Sequence, residues 1–372
     1  MKTVAQKKRS ILFVTPFMET GGTERVIFDL ASGLVAKGWD IYVLSSGGRL
    51  VQEINNLGAT HFEVPSLGSK SPWAIFASAR VIRNVIRKHR VGVINSHSYV
   101  SAVSVALSQS IPIKNCKHLF TLHIPERQYY FRVMGFTLNR LVDQTCTVCN
   151  WTREKLIKAG VSATNIAVIY NGVNTDYFRP TTEKIEKRQH FNITVVARLV
   201  ERKGHAVLLR AVKRLFDYSG PKNLQLHFYG DGPARLKLEE LSETLGLKDF
   251  VIFHGDTPDV RTAYKNSDLF VLPSYSEGLP LTILESMSAC VPVVTTTVNG
   301  IPEVIKHGET GITFSPGDDN ALSHIIAEMM DNAELRTKLV RKAHFWVCKN
   351  LDTKKMVVQY DRLFLSLLEY DK

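Results

Sequence analysis

Short apolar runs of strand length alternate, along the whole chain, with stretches whose apolar residues recur at helical spacing. Residues 10–15 (Ser-Ile-Leu-Phe-Val-Thr) have a continuous apolar centre, the pattern of a strand covered on both faces. Gly21-Gly22-Thr23-Glu24 follows, and then Val26, Ile27, Leu30, Leu34 and Val35 fall on one helical face before Gly38 stops it. Strand, glycine turn, helix and a strand at 41–44 is how a doubly wound α/β domain opens. Further strands are predicted at 61–64, 91–95, 118–122, 145–148 and 166–169, most of them separated by helical stretches.

The series then breaks. Gly172 and Pro180 punctuate the chain, and the charged segment 181–189 has no apolar face, the composition of a linker. A second strand–helix series follows, with strands at 192–197, 224–228, 250–253, 269–272, 293–296 and 311–314 and two closing helices. The last of these, about 354–370, repeats Met356, Val357, Tyr360, Leu363, Phe364 and Leu367 at helical spacing. Two Rossmann-like α/β domains are predicted, 1–178 and 179–353, which suits 372 residues.

Composition narrows the class. An apolar fraction of 44% and a charged fraction of 22% are those of a globular protein. No apolar run reaches the roughly 18 residues of a membrane span. The N-terminal apolar segment 11–18 is interrupted by Pro16 and stopped by Glu19, too short for a signal peptide, so a cytoplasmic protein is expected. Cys146 and Cys149 lie in a predicted strand, where residues three apart face opposite sides. The five cysteines are expected as buried reduced thiols rather than a metal site. The net charge of +12 is carried entirely by residues 1–180, which hold 22 Lys+Arg and 10 Asp+Glu, whereas 181–372 hold 25 of each. Such asymmetry points to a polyanion or an anionic membrane surface as that half's partner.

The candidate chemistry centres on 268–285. A buried strand runs through Pro273 and Ser274 into a loop carrying Glu277, Gly278 and Leu279. Pro280 is expected as the first residue of a helix reaching about Cys290, with Leu281 and Glu285 inside it. The free N–H groups of that helix start suit an anion, and a carboxylate accepts two sugar hydroxyls at once. The two glutamates therefore suit a ligand with phosphate between two sugars. Arg198 and Lys203 lie five apart around a strand-to-helix turn and can clamp a diphosphate, although two solvated charges are the simpler reading of such a pair alone. Gly230, Gly232 and Gly255 are turns where backbone passes close to a ligand. His97 and His123 each end a predicted strand, where open parallel sheets hold ligands; a structural role is the alternative, left even for His97.

These residues, in order, resemble the retaining family 4 glycosyltransferases of GT-B fold. The shared motifs are the Gly21-Gly22-Thr23-Glu24 turn, His123, Asn171-Gly-Val, Arg198-x4-Lys203-Gly204, Gly230-Asp-Gly and Glu277-Gly278-x-Pro280-x4-Glu285. Asn174 stands where that family usually has Asp. The resemblance implies two doubly wound domains facing across a cleft, with the final helix, about 354–372, returning to the first. It implies that the second domain holds a nucleotide-sugar donor, probably a UDP-sugar, and the first an acceptor. Arg198, Lys203 and the helix after Pro280 would carry the leaving-group charge. Glu285 would hold the ribose, Glu277 the transferred sugar, and His123 would touch that sugar. Attack is expected from the front face, the departing phosphate oxygen taking the acceptor's proton. No Asp-x-Asp triad occurs, so neither a metal nor any other cofactor is expected.

One helix bears on the acceptor. From Ser71-Pro72 onward, Ile75, Phe76, Ala79, Ile82 and Ile86 share a face, with Arg80, Arg83, Arg87 and Arg90 beside it. That is the profile of a helix in a membrane interface and equally of a packed helix with a solvated basic side. Arg127, Arg132 and Arg140 follow His123 among aromatic residues. Taken together, the resemblance and the charge predict a transferase of bacterial surface-polysaccharide or lipopolysaccharide synthesis. It would act on a lipid-linked glycan acceptor, peripherally at the inner face of the cytoplasmic membrane, with no nucleic-acid partner. A sugar-nucleotide epimerase of the same fold and a non-enzymatic polyanion-binding protein stay as alternatives.

Overall fold

A computed structural model describes residues 9–110, 113, 116–124, 130–180, 189–220, 223–257 and 259–369. Two compact units divide them, Met1–Asn171 with Thr353–Lys372, and Gly172–Asp352. The division falls just after Asn171, so the Asn-Gly-Val turn straddles it; the charged segment 181–188 lies outside the described residues.

The first unit is one parallel sheet of seven strands in the order β3-β2-β1-β4-β5-β6-β7. The strands are β1 (Ser10–Val14), β2 (Asp40–Ser45), β3 (Thr60–Glu63), β4 (Val93–Ser96), β5 (Lys117–Leu122), β6 (Gln144–Thr147) and β7 (Ile166–Val168). Six helices intervene: α1 (Gly22–Val35), α2 (Val51–Asn56), α3 (Pro72–His89), α4 (Tyr99–Ser108), α5 (Tyr130–Leu141) and α6 (Asn150–Lys158). Every pairing is parallel, because helical crossovers return the chain to the same edge each time. The order reverses between β1 and β4, the switch point at which such sheets bind ligands.

The second unit is a six-stranded parallel sheet, β10-β9-β8-β11-β12-β13. It comprises β8 (Phe191–Val196), β9 (Leu224–Tyr229), β10 (Val251–Gly255), β11 (Leu269–Leu272), β12 (Val293–Thr296) and β13 (Ile312–Phe314). The helices are α7 (His205–Ser219), α8 (Arg235–Thr244), α9 (Arg261–Lys265), α10 (Leu281–Ser288), α11 (Asp319–Asp331) and α12 (Ala333–Asn350). Its core joins Ile193, Val195, Leu226, Phe228 and Val271 of the sheet to Val207, Leu208, Ala211 and Val212 of α7 and Leu322 and Ile326 of α11. The switch point here lies between β8 and β11.

The last helix, α13 (Thr353–Glu369), belongs to the first unit. Phe364 is fully buried and meets Phe13 edge-on at 6.4 Å and Trp39 at 5.8 Å. Such burial is worth about 1.5–3 kcal/mol. Trp39 Nε1 donates to Asp361 Oδ1 at 2.8 Å, Lys37 pairs with the same carboxylate at 3.1 Å, and the Cys146 thiol reaches the Tyr360 oxygen at 3.5 Å. Gly33 on α1 permits this approach, since a Cβ there would lie 2.6 Å from a Val357 methyl.

Two expectations change. The apolar stripe of α3 is its packing face: Ala79, Ile82, Val85 and Ile86 are buried, and the last three join Leu12, Val14 and Ile94 in the core. Covering a sheet and lying in lipid require the same periodicity, so the pattern alone did not separate them. Arg83 also turns inward and donates to the Ser108 carbonyl at 2.7 Å. The outer face of α3 instead carries Trp73, Phe76, Arg80, Val81 and Arg87. The second change is at Pro280, whose ψ of 124° makes it the N-cap of α10 rather than its first residue. Among the described residues, no helix is long and apolar enough to cross a membrane.

Candidate functional site

In the second unit, the turns at the carboxyl ends of four neighbouring strands bring the predicted residues together. After β8 the chain makes a tight turn through 197–204, and Gly204 ends it in the left-handed region at φ 73°. A Cβ there would lie 2.0 Å from the Pro273 carbonyl oxygen, so only glycine lets this turn press against the loop after β11. The two segments are further clasped by Tyr275 N–H to the Arg202 carbonyl at 2.8 Å and by the Arg202 guanidinium to the Ser276 carbonyl at 3.3 Å.

This contact sets Lys203 on Glu277, Nζ to Oε1 at 2.5 Å. Both are largely buried, with side-chain exposures of 14% and 6%. The buried Ser274 hydroxyl donates to the same oxygen at 2.7 Å. One carboxylate oxygen thus takes two donors and turns the other toward whatever occupies the site. Ser274 escaped the sequence reading, although it sits three residues before Glu277 in the singled-out stretch. Arg198 stands apart: it is exposed, and its side chain makes no hydrogen bond or ion pair with any described residue.

Glu285 lies in the second turn of α10, buried, and its Oε2 accepts the Tyr264 hydroxyl at 2.7 Å. Burial, and then the Glu285 charge, push the Tyr264 hydroxyl well above its ordinary pKa, so it stays a donor at all working pH. Tyr264 belongs to the short helix α9, and its partner lies 21 residues on; nothing in the sequence pointed to it. Gly278, Leu279, Pro280 and Leu281 are all buried around the α10 start. Gly230 and Gly255 meet directly, Gly230 N–H donating to the Gly255 carbonyl at 2.8 Å, which joins the turns after β9 and β10. Asp231 does not cap α8 but accepts the Gly232 N–H at 2.7 Å and pairs with Arg235 at 3.1 Å.

In the first unit, Gly21 caps α1 and Gly22 begins it, both exposed after β1. His97 follows β4 and His123 ends β5, and the two meet, His97 Nδ1 to His123 Nε2 at 3.0 Å. His123 is half-buried and His97 buried. Burial lowers the pKa of His123 to about 4 and holds that of His97 well below its ordinary value, with His123 beside it adding to the effect. Arg80, Arg87 and Arg132 are exposed on α3 and α5, and Arg127 lies outside the described residues. The five cysteines are free thiols. Cys149 is the N-cap of α6, where the sequence expected a continuing strand.

Two parallel-sheet units, with charged side chains gathered at the switch point of the second, are the architecture of a GT-B glycosyltransferase. Residues 20–177 match the family described as Glycosyltransferase Family 4, and residues 180–346 match Glycosyl transferases group 1. The chain belongs to the family 4 glycosyltransferases of GT-B fold. A relative, N-acetyl-alpha-D-glucosaminyl L-malate synthase of Bacillus anthracis, is 26% identical and aligns over 96% of this chain and 97% of its own. A phosphatidylinositol N-acetylglucosaminyltransferase of Arabidopsis thaliana is 25% identical, over 95% of this chain and 82% of its own. In fold, the chain is like Anabaena HepE, solved in complex with UDP-glucose, with a TM-score of 0.84, 21% identity, and coverage of 96% and 99%.

Proposed function

We propose that this enzyme transfers a sugar from a UDP-sugar, with retention at the anomeric carbon and without a metal, to a lipid-linked glycan acceptor in bacterial surface-polysaccharide assembly. The observation that carries the reading is the convergence of Lys203, Ser274 and Glu277 beside the start of α10, with Arg198 unpaired nearby in sequence. Arg198, Lys203 and the first N–H groups of α10 meet the charge that grows on a departing diphosphate. Glu277 holds the transferred sugar through its second oxygen, and Glu285, steadied by Tyr264, holds the ribose. His123 donates to the sugar from the first unit. No side chain is assigned as a nucleophile: the acceptor hydroxyl attacks the anomeric carbon on the face that the diphosphate leaves, and the phosphate oxygen takes its proton.

UDP is favoured by the likeness to HepE, and a lipid acceptor by the phosphatidylinositol N-acetylglucosaminyltransferase relative. The charge excess of residues 1–180 supports a peripheral site on an anionic membrane, at the inner face of the cytoplasmic membrane. So does the outer surface of α3 and α5, where Trp73 is 83% and Phe136 73% exposed beside Arg80, Arg87, Arg132 and Arg140.

A thermal-shift screen of nucleoside diphosphates and sugar nucleotides, followed by transfer of labelled sugar to lipid extracts with and without excess EDTA, tests the reading. A nucleotide at about 100 times its Kd adds about 2.7 kcal/mol of stability. UDP and one UDP-sugar are expected to raise Tm, label is expected in the lipid phase, and EDTA is expected to leave the rate unchanged. No shift with any nucleotide would sink the donor assignment. Label on a small hydroxy acid alone would replace the lipid acceptor, and a rate lost with EDTA and restored by Mg²⁺ would overturn the metal-free mechanism.

A further inference from the structure

His97 has no role in the transfer just described, yet it is built into the same end of the first sheet. It follows β4 and His123 ends β5, two strands that lie side by side, so the histidines are 26 residues apart in sequence and adjacent in space. Their nitrogens are 3.0 Å apart, the ring planes differ by 25° and the ring centroids are 5.3 Å apart. With nitrogens that close and centroids that far, the rings meet edge to edge, close to a common plane. This is the geometry of an N–H pointing along a ring lone pair.

One proton lies between the two nitrogens, and the neighbours decide which ring carries it. The other nitrogen of His97, Nε2, is buried and has no hydrogen-bond partner among the described residues. Phe13 packs against this ring, centroids 5.9 Å apart. If His97 accepted the bond at Nδ1, its own proton would sit on Nε2 as a buried N–H with no acceptor, the rarer of the two defects in folded proteins. If His97 donates from Nδ1, Nε2 is only an unused lone pair. Burial keeps both rings neutral near pH 7, which removes the doubly protonated alternative.

We propose that His97 is a positioning residue that donates its Nδ1–H to Nε2 of His123, fixing His123 as the tautomer whose proton is on Nδ1. Nδ1 of His123 is not among the buried nitrogens without a partner. The pair therefore presents a fixed N–H, rather than a lone pair, where the first unit is open. Resting on the proposed transfer, this makes the ligand atom facing His123 an acceptor: a sugar oxygen, not the hydrogen of a sugar hydroxyl.

The test is two-bond proton–nitrogen NMR on the full chain with ¹⁵N-labelled histidine at pH 7, with signals assigned through the variants His97→Asn and His123→Asn. Both rings are expected protonated on Nδ1. Asparagine presents an N–H where the imidazole has Nδ1–H, so His97→Asn should keep the tautomer of His123. His97→Phe, which has no donor, should release His123 to a mixture of tautomers. It should also lower kcat/KM roughly tenfold to a hundredfold, the range for partners that orient a histidine from behind, with affinity for free UDP unchanged and activity largely restored in His97→Asn. A wild-type His123 protonated on Nε2 overturns the proposal, as does a His123 tautomer untouched by His97→Phe. If the tautomers are as expected but kcat/KM does not move, the positioning stands and the contact of His123 with the sugar falls.

Discussion

Lys203 and Glu277, 74 residues apart in the chain, form a largely buried ion pair in which Glu277 Oε1 also takes the Ser274 hydroxyl. Removing either charge strands the other in a poorly hydrated site, so the pair ties the stability of the second unit to its chemistry. Arg198, exposed and without side-chain partners among the described residues, is not tied in this way.

The two basic residues should therefore separate in a single experiment. Arg198→Ala is expected to lower turnover on the order of 10²-fold with Tm unchanged. Lys203→Ala should lower turnover as much and also cost on the order of 2 kcal/mol, roughly 5 °C in Tm. Steady-state kinetics with thermal melts decides it; an unaltered Tm in Lys203→Ala would show that the ion pair contributes nothing to the fold.

Tyr264 fixes one oxygen of Glu285 from a position buried in the second unit. Tyr264→Phe removes that hydrogen bond and keeps the ring, so UDP affinity should fall about tenfold, the effect of roughly 1.4 kcal/mol. Glu285→Gln should weaken UDP further, whereas Glu277→Gln should leave UDP binding nearly intact and lower turnover. Calorimetric titration with UDP reads all three. Equal losses in the two Gln variants would mean that the glutamates do not divide ribose and sugar between them.

Membrane binding should follow the outer face of α3 rather than its apolar stripe. Arg80→Glu with Arg87→Glu removes two charges worth about 1 kcal/mol each near an anionic surface. Co-sedimentation with anionic vesicles should drop about thirtyfold or more, and Trp73→Ala with Phe76→Ala should weaken binding to the same vesicles in high salt. Arg83, held by the Ser108 carbonyl, is expected to matter little in this assay. If the double charge reversal sediments like wild type, this face is ordinary solvated surface.

Acid should destabilise the protein before most of its carboxylates titrate. Burial lowers the pKa of His118, His123 and His205 to about 4, while the unfolded chain takes up those protons near pH 6.5. The resulting stability is fully present above about pH 6.5 and is lost as pH falls toward 4, by up to about 1.4 kcal/mol per pH unit for each histidine that stays neutral. Asp29 acts in the opposite sense, since burial raises its pKa to about 6, but it is one group against three. Thermal melts between pH 7.5 and 5 should show Tm falling as pH drops below 6.5; a flat profile would mean that these histidines are already charged in the folded state.

The fold was legible in the sequence because its strands are short apolar runs fixed by burial on both faces. All thirteen predicted strands occur, within a residue or two at their ends. The Glu277–Glu285 stretch and the Arg198–Lys203 turn were legible because each is local. What escaped reading depends on neighbours distant in the chain: the Tyr264 hydroxyl on Glu285, the clasp of Arg202 on 275–276, and the edge-to-edge meeting of His97 with His123. The last was within reach, since both residues end strands and successive βα units place such strands side by side. The apolar stripe of α3 failed as a membrane signal because periodicity states that one face is covered, never by what.

Helix α13 has a consequence for how the protein is made. Phe364 and Tyr360 complete the hydrophobic interior around Phe13, Trp39 and Cys146, yet they leave the ribosome after the whole second unit. Until Glu369 has emerged, the earliest-made third of the polypeptide waits with a greasy flank uncovered, while Gly172–Asp352 already has its own interior. Chaperone demand during translation should therefore fall on the amino-terminal portion, and a stop codon near residue 352 should spoil the part made first while sparing the part made last.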